Sequence, residues 1–130
     1  MTGRWIGLAV AVVAALTAST PARSQDFPNR PIRIVVPTAP GGMSDLLSRT
    51  FAAKVQERTG KVVVVENKTG ANGVLAADYV AKSAPDGYTI GLITASTHGV
   101  TPALGTKLPY DSVNDFKPIS MIGAAPYVLV

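Results

Sequence analysis

Between Pro31 and Thr94 the chain alternates short, β-branched apolar runs with longer stretches of helical period, and this alternation restricts the fold more than any other feature. Pro31 to Pro37 sets Ile32, Ile34, Val35 and Val36 around Arg33 between two prolines, as expected of a strand buried on both faces. Thr38 to Met43 reads as loop. From Ser44 the apolar residues Leu47, Phe51 and Val55 recur at helical spacing until Thr59, with Gly60 as the C-terminal stop. Val62 to Val65 forms a second strand, Asn67 to Gly73 a second loop, and Val74 to about Ser83 an alanine-rich helix with Val80 on its apolar face. Ala84-Pro85-Asp86-Gly87 has the chemistry of a tight turn, and Tyr88 to Thr94 makes a third strand. The pattern loosens from Ala95 to Phe116, which can hold one helical turn, before Ile119 to Ile122 offers a fourth strand. Strands joined in this way by helices form βαβ units with right-handed crossovers, so the expected fold is α/β with an open, mostly parallel sheet.

The first residues speak to compartment rather than fold. Arg4 precedes the apolar run Trp5 to Leu16 and the small, polar stretch Thr17 to Ser24, the order of a secretory signal peptide. The run falls short of the about 20 residues that a membrane span requires. Cleavage is expected near Ser24, with Ala22 the alternative, so residues 1–24 are a signal peptide and the mature domain starts at Gln25 in the periplasm. Losing Arg4 and Arg23 takes the formal charge from +4 to +2, and the remaining cations are scattered singly without interleaved aromatics. Nucleic acid is therefore no expected partner. With no cysteine there is no disulfide scaffold, thiolate metal site or lipidated cysteine. The apolar ending Tyr127 to Val130 reads as an unfinished strand, so residues 25–130 are expected to be an incomplete N-terminal lobe of something longer.

In an open parallel sheet, ligands sit at the carboxyl ends of the strands. Three loops qualify here. The first carries Gly41, Gly42, Met43, Ser44 and Asp45, the second Ala71, Asn72 and Gly73, and the third Ser96, Thr97 and His98. In the first, two glycines admit close approach while the N–H groups at a helix start favour an anion. The spacing is neither a P-loop nor a dinucleotide fingerprint, which leaves a small carboxylate as the better fit, with a plain turn into the helix as the bland alternative. Asp45 suits the helix N-terminus better than it suits an anionic ligand, and it can pair with Arg49 four residues on. Asn67 is expected to organise its own loop. His98 is the only histidine and makes a poor metal site, so no metal or cofactor is expected. A hydrolytic triad from Ser44 or Ser96, His98 and Asp45 can be drawn, but G-x-S-x-G is absent.

Several ordered motifs match one family. Phe27-Pro28-Asn29-Arg30-Pro31, Ala39-Pro40-Gly41-Gly42 with Asp45, Val64-Val65-Glu66-Asn67-Lys68, Gly70-Ala71-Asn72-Gly73, Ala84-Pro85-Asp86-Gly87-Tyr88-Thr89, Thr97-His98, Leu108-Pro109-Tyr110-Asp111 and Asp115-Phe116-Lys117-Pro118-Ile119 cover nearly all of the mature chain. Together they resemble the Bordetella uptake gene (Bug) receptors, periplasmic solute-binding components of tripartite tricarboxylate transporters. The resemblance implies the first lobe of a two-lobed, Venus-flytrap receptor that is longer than this chain and monomeric when full length. It implies a small carboxylate held in the cleft partly through backbone N–H groups, and membrane subunits of the transporter as partners. Position by position, Gly41 to Asp45 match the family's carboxylate seat, and Ala71 to Gly73 and Ser96 to His98 its neighbouring cleft loops. Thr38 stands where the family commonly has an aromatic residue, and Thr101 where it often has asparagine. A ligand-sensing lobe for signalling and a hydrolytic enzyme fragment are the alternatives to a transport receptor.

Overall fold

The computed structural model describes residues 26–124. The expected signal peptide, its cleavage point after Ser24 and the apolar run Tyr127 to Val130 lie outside the described residues.

A three-stranded parallel sheet in the order β2-β1-β3 forms the centre, built from β1 (Ile32–Val36), β2 (Val63–Asn67) and β3 (Thr89–Gly91). The middle strand pairs Ile34 with Val65 on one side and with Ile90 on the other. At its carboxyl end the ladder runs one step further on both sides, Lys68 N–H donating to the Val36 carbonyl and Leu92 N–H to that of Val35, each at 2.9 Å. The loops that follow all three strands thus leave from one fixed edge. Ile34, Val35 and Val36 are buried, whereas Arg33 and Ile32 at the start of the strand are not, so only its carboxyl half is covered on both faces.

Two helices connect the strands, α1 (Met43–Thr59) and α2 (Val74–Ala81). Strand alternation puts Val35, Glu66 and Gly91 on one face and Val36 and Asn67 on the other. On the first face lies α2, where a Cβ at Gly91 would stand 3.1 Å from Val80, and the second carries α1, joined through Asp45 and Asn67. Helices on opposite faces are what right-handed crossovers to the two sides of β1 require. Gly60 closes α1 in the left-handed conformation, its N–H donating to the Gln56 carbonyl at 2.9 Å, as the sequence led us to expect.

The apolar stripe expected of α1 is not its packing face. Leu47 and Phe51 are exposed, and the buried positions are Asp45, Ser48 and Ala52. The Asp45 carboxylate reaches the first loop and Asn67, which turns that side of the helix to the sheet, and the small Ser48 and Ala52 then permit close approach. Ser48 satisfies its buried hydroxyl by donating to the Ser44 carbonyl at 2.8 Å. Four further corrections concern the strands and the last loop. The second strand lies at Val63–Asn67 rather than Val62 to Val65, because register against β1 leaves Val62 only its carbonyl to offer, to Ile32 N–H at 3.0 Å. The third strand is Thr89–Gly91, not Tyr88 to Thr94, since the ladder ends at Leu92 N–H. The expected fourth strand, Ile119 to Ile122, is irregular: it follows Pro118, pairs with neither sheet edge and leaves Ile119 and Met121 largely in solvent. Finally, Ser96–Val100 is not an open loop but a π-type turn that continues into the helical turn Thr101–Ala103.

Candidate functional site

Two of the three loops proposed from the sequence, the second and the third, meet at Gly73 together with the end of β1, from which the first loop leaves. A Cβ built there would stand 2.7 Å from Thr97 Cγ2 and 2.9 Å from Pro37 Cβ, both inside contact distance, so the ends of β1, the second loop and the third meet at a point that only a glycine can occupy. Its φ of 89° demands glycine as well. Immediately before it, Ala71 and Asn72 take φ of 47° and 53°. The left-handed region costs a residue such as alanine roughly 1–2 kcal/mol, and backbone strain of this kind gathers at ligand-binding loops.

Around Gly41 and Gly42 the wall is built on charge. Asp45 is buried, yet both of its oxygens are matched: Oδ2 accepts from Gly41 N–H at 2.9 Å and from Arg49 Nε at 3.0 Å, and Oδ1 accepts from Asn67 Nδ2 at 2.9 Å. These bonds, first that from Arg49 and then those from Gly41 and Asn67, hold its carboxyl well below the usual range. Asn67 also donates to the Thr38 carbonyl at 3.0 Å, so it organises the first loop across the sheet rather than its own. Since Gly41 N–H serves Asp45 and Gly42 N–H reaches the Ala39 carbonyl at 3.3 Å, the donors left for a ligand are those of Met43, Ser44 and Asp45 in the first turn. No side chain caps that turn. The Arg49 guanidinium offsets the Asp45 charge, which leaves the positive end of a 17-residue helix to act on an anion. Beside Gly42 the Thr38 hydroxyl is buried without a hydrogen-bond partner.

The third wall has no charge. Thr97 Oγ1 donates to the Thr94 carbonyl at 3.0 Å and accepts from Thr94 N–H at 3.3 Å. With its one proton committed, it meets His98 Nδ1, 2.9 Å away, as an acceptor, which assigns the imidazole proton to Nδ1 and leaves Nε2 as a buried, unpartnered acceptor. The ring stacks on Tyr110 and meets Phe116 edge-on at 4.5 Å. Burial pushes the His98 pKa below its ordinary value.

Thr97 and Asp45 therefore build the walls from within, whereas Met43, Ala71, Asn72 and Ser96 stand in solvent at the rim. The hydrolytic triad is not assembled among the described residues: Asp45 is held by Gly41, Arg49 and Asn67, and His98 by Thr97. Beneath the loops lies an apolar cavity of about 10 Å³, lined by Val35, Ala76 and Phe116 among others, with room for no more than a water. A ligand would sit on the open loop surface. Reasoning from sequence paired Asp45 with Arg49, as the structure does, but gave Asn67 to its own loop and missed Tyr110 and Phe116; these two stand in motifs already quoted, but nothing in their spacing ties them to His98.

The family described as Tripartite tricarboxylate transporter family receptor matches residues 47–130, and the chain belongs to it. Protein BugT of Bordetella pertussis is 41% identical over 119 residues, which span 91% of this chain and 36% of that protein. The chain thus spans little more than a third of the length of such relatives. Among solved structures, MatC from Rhodopseudomonas palustris with bound malate is 42% identical, superposes with a TM-score of 0.66 and is matched over 71% of this chain and 31% of that one. A second R. palustris protein, solved with adipate, is also 42% identical, with a TM-score of 0.54 over 56% of this chain and 24% of its own.

Proposed function

We propose that this chain supplies the first lobe of a periplasmic receptor that captures a small carboxylate and delivers it to the membrane subunits of a tripartite tricarboxylate-type transporter. The observation that carries the reading is that the end of β1 and the second and third strand-end loops meet at Gly73, while the first loop, tied through Asn67 to the end of β2, leads into a long helix whose first-turn N–H groups have no acceptor. One carboxylate of the ligand accepts from Met43, Ser44 and Asp45 N–H and from the Thr38 hydroxyl; Ala71 to Gly73 and Ser96 to His98 form the facing walls. Malate and adipate, bound by the two R. palustris relatives, are dicarboxylates of the class this seat suits. The site binds and releases without turnover, and export with cleavage near Ser24 brings it to the periplasm, where N-terminal sequencing of the exported protein should start at Gln25.

Because relatives are far longer, the rest of a full receptor supplies the opposing half of the cleft, and this chain alone should bind malate with a dissociation constant of about 1 mM or weaker, roughly 4 kcal/mol. Titration followed by amide shifts should move Gly42 to Asp45 together with residues 71–73 and 96–98. Gly42 has φ of −74°, open to any residue, and a Cβ there would make ordinary contacts with Ala39 and Thr38, so Gly42→Val should keep the fold while filling the space beside the Thr38 hydroxyl. It should weaken the malate response at least tenfold. Unchanged affinity in a folded Gly42→Val variant would remove the first loop from the site.

A further inference from the structure

We infer that Tyr110 is a positioning residue for the third loop, standing in for a backbone donor that Pro102 takes away; its bearing on ligand binding rests on the function proposed above. The argument begins with the π-type turn at Ser96–Val100, a geometry uncommon enough to need a cause. Thr101 N–H donates to the Ser96 carbonyl, the five-residue spacing of a π turn. The next bond in that series would run from residue 102 to the Thr97 carbonyl, but residue 102 is proline and has no N–H. Thr97 is buried, so water does not replace the missing donor, and a buried carbonyl without a partner is costly. Tyr110 closes the gap. Its hydroxyl donates to the Thr97 carbonyl at 2.9 Å from a position that is itself buried. The same ring stacks against His98, and Phe116 meets both rings edge-on, so one aromatic cluster holds the carbonyl and the imidazole of adjacent residues. Tyr110 is 13 positions away from the residue it completes.

The pairing of a deleted donor with a supplied one gives a test that general loss of packing does not imitate. In the isotopically labelled chain, Tyr110→Phe should speed amide exchange at residues 97–101 about tenfold, the scale of one lost hydrogen bond, and displace the Thr97 carbonyl carbon resonance. Adding Pro102→Ala restores an N–H at the deleted position and should bring exchange and resonance back toward wild type, although it returns nothing to the aromatic packing. With malate as the probe, the response of residues 96–98 should weaken in Tyr110→Phe and recover in the double variant. Unchanged exchange in Tyr110→Phe, or no recovery with Pro102→Ala, overturns the positioning role. Should Tyr110→Phe fail to fold, the double variant must fold, and a double variant as poor as the single one overturns it equally. If wild type shows no malate response at any of the three loops, the receptor reading falls, while the exchange result still decides the positioning role.

Discussion

At the start of α1 the backbone is held by charge, with Gly41 N–H, Arg49 and Asn67 all closing on the single buried carboxylate of Asp45. At Ser96–Val100 it is held without any charge, by the hydroxyls of Thr97 and Tyr110 and by the rings of His98, Tyr110 and Phe116. The difference teaches that backbone at strand-end loops can be fixed in two ways, each with its own weakness. Protonation threatens the first wall only in strong acid. The second depends on close packing and on keeping one imidazole neutral.

The end of β1, from which the first loop leaves, and the uncharged wall both touch Gly73, so the largest effect expected is from Gly73→Ala. The new Cβ would overlap Thr97 and Pro37 and force an unfavourable φ, and the two costs together should destabilise the chain by about 2–4 kcal/mol. Urea titration would read this directly, with Gly42→Ala, at an ordinary φ and in open contact, within about 0.5 kcal/mol of wild type. A Gly73→Ala chain as stable as that control would mean that Pro37, Gly73 and Thr97 do not pack as described.

Asp45→Asn isolates the charged wall and should come next in size. The carboxylate's folded pKa is depressed, so its contribution is complete above the ordinary value near 3.8 and is lost as pH falls through and below it. The substitution should lower the urea midpoint at pH 7, since an amide nitrogen presents hydrogens to Gly41 N–H or to Asn67 where an acceptor is needed. It should also flatten the decline in stability between pH 5 and pH 2. An acid limb as steep as wild type's would show that other carboxylates govern it.

These two walls also mark how far the sequence could be read. β1 was legible because prolines bracket a β-branched run, and the first loop because two glycines precede a helix. The face of α1 was misread because a polar residue, Asp45, rather than Leu47 or Phe51, sets the rotation of the helix, and its partner Asn67 lies 22 positions away on another strand. Periodicity carries no information about such a pair. The aromatic wall was hidden for the same reason, since Tyr110 and Phe116 reach His98 from an irregular segment. What local chemistry dictates could be seen, and what the tertiary fold brings together could not.

The smallest effect, and the one that sharpens the contrast most, concerns His98. With its Nδ1 proton directed to Thr97 Oγ1, further protonation must occur at Nε2, which is buried beside two aromatic rings and has no acceptor for the new hydrogen. Burial accordingly lowers its pKa from the ordinary 6.5. In the unfolded chain the imidazole takes up its proton near that ordinary value, whereas the folded chain resists, so the unfolded state gains protons first and stability falls as pH drops below 6.5. Urea midpoints measured from pH 7.5 to 5 should slope gently downward in wild type and be level in His98→Gln. The ring is only partly covered, which keeps this slope shallower than the acid limb from Asp45, and the two losses set in from different ordinary values, 6.5 and 3.8. Amide exchange measured alongside should place the loss at residues 96–101 and leave 41–45 unchanged. A slope that survives in His98→Gln, or one that loosens both loops equally, would mean that the uncharged wall is not separately sensitive to pH.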